Sequence, residues 1–169
     1  ISQLNNFQHL SNIFTNNSTV SLAKKLCELS GMSKVFFANS GAEANECAIK
    51  LARKYSFNKY GEGRGTILSL KQSFHGRTLA TLTATGQDKF HNYFFPFPTG
   101  FNYATANSID DLQEKLTSDV CAIIMEAIQG EGGVHPLNKD FVLATCKLAK
   151  EKDILIIFDE VQCGIARTG

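Results

Sequence analysis

Two apolar runs constrain the fold of this chain more than anything else in it. VCAIIM at Val120 to Met125 and ILIIF at Ile154 to Phe158 contain no charge and no polar alternation. A strand with one wet face alternates apolar and polar residues, so unbroken runs of this length suit parallel strands covered on both faces. TILSL at Thr66 to Leu70 reads as another strand. Val35, Phe36 and Phe37 read as a first, short one, ended by the turn formers Asn39, Ser40 and Gly41.

Helical patterns fill the spaces between these runs. Leu22, Ala23, Leu26 and Leu29 form a stripe with Lys24 and Lys25 outside it and Gly31 as terminator, which predicts a surface helix after a mostly irregular lead-in over Ile1 to Thr19. A second helix opens near Gly41, with Ala44, Cys47, Ala48, Leu51, Ala52 and Tyr55 as the stripe expected to pack on a sheet. Leu79 to Thr85 continues as a short helix, and Ser108 to Leu116 reads as a capped one. A last helix starts at Asn138 with Val142, Thr145, Cys146 and Ala149 on one face and Lys147, Lys150 and Lys152 towards its C-terminal end. Strand and helix patterns alternate, which predicts an α/β fold with a mainly parallel sheet flanked by helices on both faces. Residues 1–33 are read as lead-in and first helix, and 34–169 as one domain.

Composition narrows the function classes. Seventeen basic against sixteen acidic residues give a net charge of +1, so there is no electrostatic reason to expect nucleic acid or an anionic membrane as partner. No apolar run approaches the roughly 20 residues of a bilayer span, and ISQLNNFQHL lacks the order of a signal peptide, which favours a cytosolic location. Cys27, Cys47, Cys121, Cys146 and Cys163 are odd in number, widely spaced and without a C-x-x-C pair, as reduced core thiols are. Cys163 stands beside the end of the last strand, where a reactive thiol is the alternative to inert packing. Ile1 and Gly169 both look like cut ends, since an α/β domain would continue past the last strand.

Four stretches carry candidate chemistry. At Asn39 to Gly41 a helix N-terminus offers unpaired N–H groups and the positive dipole end, and Ser40 adds a hydroxyl; the turn either holds a phosphate or simply caps the helix. Phe74, His75 and Arg77 crowd the carboxyl end of the Thr66 to Leu70 strand, where ligands bind in an open parallel sheet. They serve stacking and carboxylate pairing there, or else packing, capping and a surface ion pair. QGEGG at Gln129 to Gly133 sets Glu131 among glycines. The last strand delivers Asp159 and Glu160 out of the core, and a buried Asp159 demands a cationic or hydrogen-bonding partner. GEGRG at Gly61 to Gly65 is not a dinucleotide fingerprint, because it follows a helix and precedes a strand. The aromatic stretch Phe90 to Phe101, with Pro96, Pro98 and Gly100, is extended and covers a cleft, a partner subunit or its own domain.

Taken in order, NSGAEANECAIKLAR at Asn39 to Arg53, SFHGRTLATLTAT at Ser73 to Thr85, EAIQGEGG at Glu126 to Gly133 and DEVQ at Asp159 to Gln162 resemble the class III pyridoxal-phosphate aminotransferases. They are most similar to the branch that acts on N-acetylornithine. The resemblance implies the large domain of a fold-type I transferase and a phosphate site at Ser40, Gly41 and Ala42. It implies Phe74 and Val161 on the two faces of the cofactor ring, and Asp159 against the ring nitrogen. Glu160 falls within the same cofactor motif, with Gln162 on the phenolic oxygen. It further implies Arg77 as the fork for a substrate carboxylate and Glu126 as a carboxylate that pairs with or releases an arginine. The implied reaction moves the terminal amino group of N2-acetyl-L-ornithine to 2-oxoglutarate in a cytoplasmic homodimer. Ornithine, succinylornithine, γ-aminobutyrate and diaminopimelate-pathway amines are alternative substrates, and an idle phosphate-binding module is an alternative of another class. Two departures stand out. Ala127 replaces the family's usual proline, and the family's cofactor-bearing lysine is expected beyond Gly169, so these residues alone are not expected to transaminate.

Overall fold

The computed structural model describes residues 1–11 and 13–168, so Asn12, inside the lead-in, and Gly169 lie outside the described residues. The chain divides into two compact units, Ile1–Phe37 and Ala38–Gly169. In the first, helix α1 (Asn17–Ser30) is capped by Asn16, whose side chain accepts from the Thr19 N–H at 2.8 Å, and ends at Gly31 with φ 70°. None of its residues is buried, which agrees with the surface helix expected from its stripe. The strand expected at Val35 to Phe37 does not form. These residues pair with no other strand, and Phe36 is 63% exposed. Three β-formers without a neighbouring ladder leave their backbone groups to water, and propensity alone does not make a strand.

The second unit holds a four-stranded sheet in the order β2-β1-β3-β6, where β1 is Thr66–Leu70, β2 Phe101–Ala104, β3 Val120–Met125 and β6 Leu155–Phe158. All three pairings are parallel, with Leu68 opposite both Asn102 and Ile123, and Ile123 opposite Ile156. β1 and β3 are buried at every position, as their uninterrupted sequences require. The edge strand β2 starts at the last residue of the aromatic stretch and is not apparent from the sequence, because four residues next to Pro98 and Gly100 give no period. A two-stranded antiparallel hairpin of β4 (Ile128–Gln129) and β5 (His135–Pro136) follows β3.

Each face of the sheet has its own core. Leu68, Leu70, Ile123 and Met125 pack with Leu112 of α4 (Ile109–Lys115) and with Phe141 and Ala149 of α5 (Lys139–Glu151). Ile67, Cys121, Ala122 and Ile124 pack with Ile49 and Ala52 of α2 (Gly41–Tyr60) and Ala84 of α3 (Leu79–Ala84). Thr66 pairs with Val120 and Ile67 with Ala122, so Cys121 has no partner across the ladder. That extra residue puts Cys121 and Ala122 on the same face, where two small side chains meet α2.

Helix α2 sits differently from its hydropathy pattern. Its buried residues are Asn45, Ile49, Ala52 and Ser56, and only Ala52 belongs to the expected stripe. Leu51 is 67% exposed and Tyr55 40%. The helix is turned by one residue, about 100°, because the polar Asn45 has partners in the interior that a hydropathy count cannot see. On α5 the buried row is Phe141, Thr145 and Ala149, with Val142 and Cys146 only half covered. Within the aromatic stretch, Phe97 packs on His91 at 5.3 Å and on Phe95 at 5.1 Å, while Phe94 and Phe95 remain exposed.

β1 is followed by β2 on one side and flanked by β3 on the other, so strand order reverses at β1 and a crevice opens beyond the carboxyl ends there. Ile123 lies at the centre of that sheet with no exposed surface. Ile123→Ala is expected to cost about 2–5 kcal/mol and Ile123→Val about 0.5–1.5 kcal/mol, read from denaturant midpoints of the complete protein at unchanged slope.

Candidate functional site

A cavity of about 320 Å³ opens at this crevice, and three segments build its wall. Gly41, Ala42 and Asn45 come from the first turns of α2; Phe74, His75, Gly76 and Arg77 come from the loop after β1; Asp159, Val161 and Gln162 follow β6. A wider depression of about 570 Å³ lies at the amino-terminal edge of the sheet, by Tyr60, Arg64, Leu116 and Ile154, and no buried carboxylate lines it.

The three segments touch one another closely. A Cβ on Gly41 would lie 2.6 Å from Val161 Cγ2, so Val161 packs directly on the first turn of α2. Gly76, at φ 135°, would place a Cβ 2.6 Å from Thr81 Oγ1 and 2.8 Å from Ala42 Cβ. Only glycine satisfies both the torsion and the space.

The α2 N-terminus separates two functions that the sequence left together. The Ser40 hydroxyl accepts from the Glu43 N–H at 3.2 Å, and the Glu43 carboxylate returns to the Asn39 N–H at 2.7 Å. Ser40 is therefore the helix cap, and it does not line the cavity. The N–H groups of Gly41 and Ala42 have no acceptor among the described residues, and both residues do line it. These are two donors at the positive end of a 20-residue helix.

Across the cavity stands Asp159, 5% exposed. Its Oδ2 accepts from Asn45 Nδ2 at 2.8 Å and from His75 Nδ1 at 2.8 Å, and its Oδ1 accepts from the Val161 N–H at 3.0 Å. Burial works to raise its pKa, but the His75 hydrogen bond and charge, with the Val161 and Asn45 donors, hold the carboxyl below the usual carboxylate range. An ionised acid is thus kept in a half-closed apolar site. The hydrogen-bonding partner that a buried Asp159 required is His75 together with Asn45; neither was singled out for that task. The available signals were a polar residue one turn past Gly41 and a histidine between Phe74 and Gly76.

Phe74 meets Phe90 edge-on, with ring centroids 5.5 Å apart. Arg77 is exposed at the rim and has no ion-pair or hydrogen-bond partner among the described residues. Glu131, among its glycines, accepts from Gln87 Nε2 at 2.5 Å and pairs with Lys89 at 3.2 Å, and the Gln87 bond does most to hold its pKa low.

Besides Ser40, two predicted site residues lie apart from the cavity. Glu126 is 1% exposed, and its oxygens accept from the Phe74 N–H at 2.9 Å and the Gly130 N–H at 3.3 Å. It ties the loop after β1 to the hairpin loop from behind the wall. Burial pushes its pKa up, against the pull of the Phe74 N–H, the His75 charge and the Gly130 N–H. Glu160 is exposed and does not line the cavity. Cys163 is buried, and burial raises its thiol pKa, the opposite of what a reactive thiol needs. All five cysteines are free. No helix among the described residues is long and apolar enough to cross a membrane.

The chain is similar to known proteins along its whole length. The family model described as aminotransferase class-III matches residues 1–169. The chain is 54% identical over 170 residues to an acetylornithine aminotransferase of Haemophilus ducreyi, covering 100% of this chain and 43% of that one. It is 52% identical to an acetylornithine/succinyldiaminopimelate aminotransferase of Buchnera aphidicola, over 95% of this chain and 40% of that one. Among solved structures, an ornithine aminotransferase from Toxoplasma gondii superposes with a TM-score of 0.93 at 29% identity, over 99% of this chain and 40% of that chain.

Two outcomes follow from the geometry. Gly76→Ala is expected to destabilise the protein by about 1–3 kcal/mol, measured by denaturant unfolding. Glu126 has a raised folded-state pKa, so its contribution is fully present below about 4.5, the ordinary glutamate value, and is lost as pH rises through the folded value. The melting temperature of Glu126→Gln relative to wild type should therefore climb as pH rises from 4.5 and then level off. A difference flat in pH would contradict the assignment.

Proposed function

The chain belongs to the class-III aminotransferase family, and we propose that its cavity holds pyridoxal 5'-phosphate in an enzyme that moves the terminal amino group of N2-acetyl-L-ornithine to 2-oxoglutarate. The supporting observation is that two helix N–H groups without an acceptor among the described residues and one buried, ionised carboxylate face a single cavity. That donor set fits a ligand with a phosphate at one end and a protonated ring nitrogen at the other. When bound, this cofactor supplies an electron sink to the carbon that carries the migrating amine.

The chain's own residues take the following roles. Gly41 and Ala42 donate to the phosphate through backbone N–H groups, with Ser40 holding the turn in shape. Asp159 keeps the ring nitrogen protonated by placing a negative charge beside it. Phe74 and Val161 cover the ring's two faces and fix its plane. Gln162 donates to the phenolic oxygen. Arg77, unpaired at the rim, takes the substrate carboxylate in a two-pronged hydrogen bond that also orients it. Glu126 acts through Phe74 and Gly130, whose N–H groups it holds.

The chain spans about 43% of the length of the first of its curated relatives. No lysine lines the cavity among the described residues, and the amine that moves the proton is proposed to come from another part of the complete protein. The complete protein is proposed to be a cytoplasmic homodimer. A related ω-aminotransferase is the second reading, favoured by relatives named for ornithine and succinyldiaminopimelate; Arg77 recognises a carboxylate common to all these amines. Parallel kinetics on acetylated and free ornithine separate the two, and preference for free ornithine would reject the first.

Pyridoxal phosphate added to the complete protein should give a visible absorbance band that borohydride fixes to a lysine; its absence would point to an idle module. Asp159→Asn should lower kcat roughly ten- to thousandfold, equivalent to one to three pKa units at the ring nitrogen. Arg77→Lys should instead raise KM for the amino donor about tenfold, by loss of the two-pronged geometry.

A further inference from the structure

We propose that His75 is a positioning residue for Asp159, working with Asn45 through its Nδ1 donor alone; the inference rests on the cofactor reading above. An ionised carboxylate offers about four acceptor sites and no donor. On Asp159, Asn45 and His75 fill Oδ2 and the Val161 N–H takes one site on Oδ1, so the remaining acceptor is on Oδ1. The carboxylate is thus held in one plane with one lone pair left for a donor in the cavity.

Since Asp159 cannot donate when ionised, the proton in this pair belongs to His75 Nδ1. The other ring nitrogen, Nε2, is buried and has no partner among the described residues. The contact to Asp159 is therefore made by Nδ1 and not by Nε2.

Asn45 extends the same constraint to the other end of the site. Its single amide nitrogen donates to Asp159 and also to the His75 carbonyl at 2.9 Å. Asn45 stands four residues past Gly41, about one helical turn. One side chain therefore couples the phosphate-binding turn, the loop after β1 and the acid after β6.

Asparagine and glutamine substitutions discriminate between the two ring nitrogens, because an asparagine amide reaches the place of Nδ1 and a glutamine amide the place of Nε2. In the complete protein with pyridoxal phosphate, His75→Asn should lose less in cofactor Kd and kcat than His75→Gln, because its amide can still donate to Asp159. His75→Gln should lose roughly ten- to hundredfold in kcat, with a weaker cofactor Kd and little change in KM for the amino donor. Equal behaviour of the two variants, or a better-performing glutamine, would overturn the proposal. Asn45→Ala gives an independent arm should a histidine variant fail to fold: cofactor affinity is expected to fall, and unchanged affinity would overturn the proposal. Wild type that binds no pyridoxal phosphate would refute the cofactor reading, whereas wild type that binds it beside variants in the wrong order refutes only the role of His75.

Discussion

The structure depends on keeping one negative charge out of water. A carboxylate as deeply covered as Asp159 would cost several kcal/mol without partners, and hydrogen bonds to a charged group return about 1.5–3 kcal/mol each. Three donors from three separate segments meet it: Asn45 from α2, His75 from the loop after β1 and the Val161 N–H from its own turn. The same contacts that offset desolvation assemble the cavity wall. Stability and site geometry are therefore one problem here, and a change to any donor affects both.

The sheet provides the rigid side of this arrangement. β1 and β6 flank the fully buried β3, and the Asp159 N–H continues the ladder onto Met125 O at 2.8 Å, so the acid leaves the sheet in a fixed direction. The extra residue in β3 turns Cys121 and Ala122 towards α2, and small side chains there let Ile49 and Ala52 pack closely. Glu126 fixes the opposite side of the cavity from behind, holding the Phe74 backbone and the hairpin loop together. A candidate site of this kind needs such support from neighbours behind its wall.

Much of the architecture was legible in the chain. Strands at Thr66–Leu70 and Val120–Met125 formed at the expected residues, because only a strand covered on both faces tolerates such runs. Ser108 capped its helix, and Gly31 ended another in the left-handed region. The failures have physical causes. Val35 to Phe37 had the propensity of a strand but no ladder to join, and β2 had a ladder but no pattern. The buried row of α2 was misjudged by one residue, because Asn45 is interior for its hydrogen bonds and Leu51 is exposed despite its hydropathy.

The amino-acid sequence by itself determined the class of fold, the places where strands meet turns, and the residue types gathered at those turns, since these follow from local periodicity and from motifs read along one dimension. Which of those residues share a cavity was decided only by tertiary structure. Gly41, Phe74 and Asp159 are far apart in the chain; Phe74 and Asp159 meet because parallel strands put their carboxyl ends on one edge, and Gly41 joins them at the start of α2, which packs on that sheet. Folding also divided Ser40 from Gly41, making one a cap and leaving the other's N–H open, and it placed Glu126 behind the wall. Hydrogen-bond partners are chosen by distance in space, and sequence records only distance along the chain.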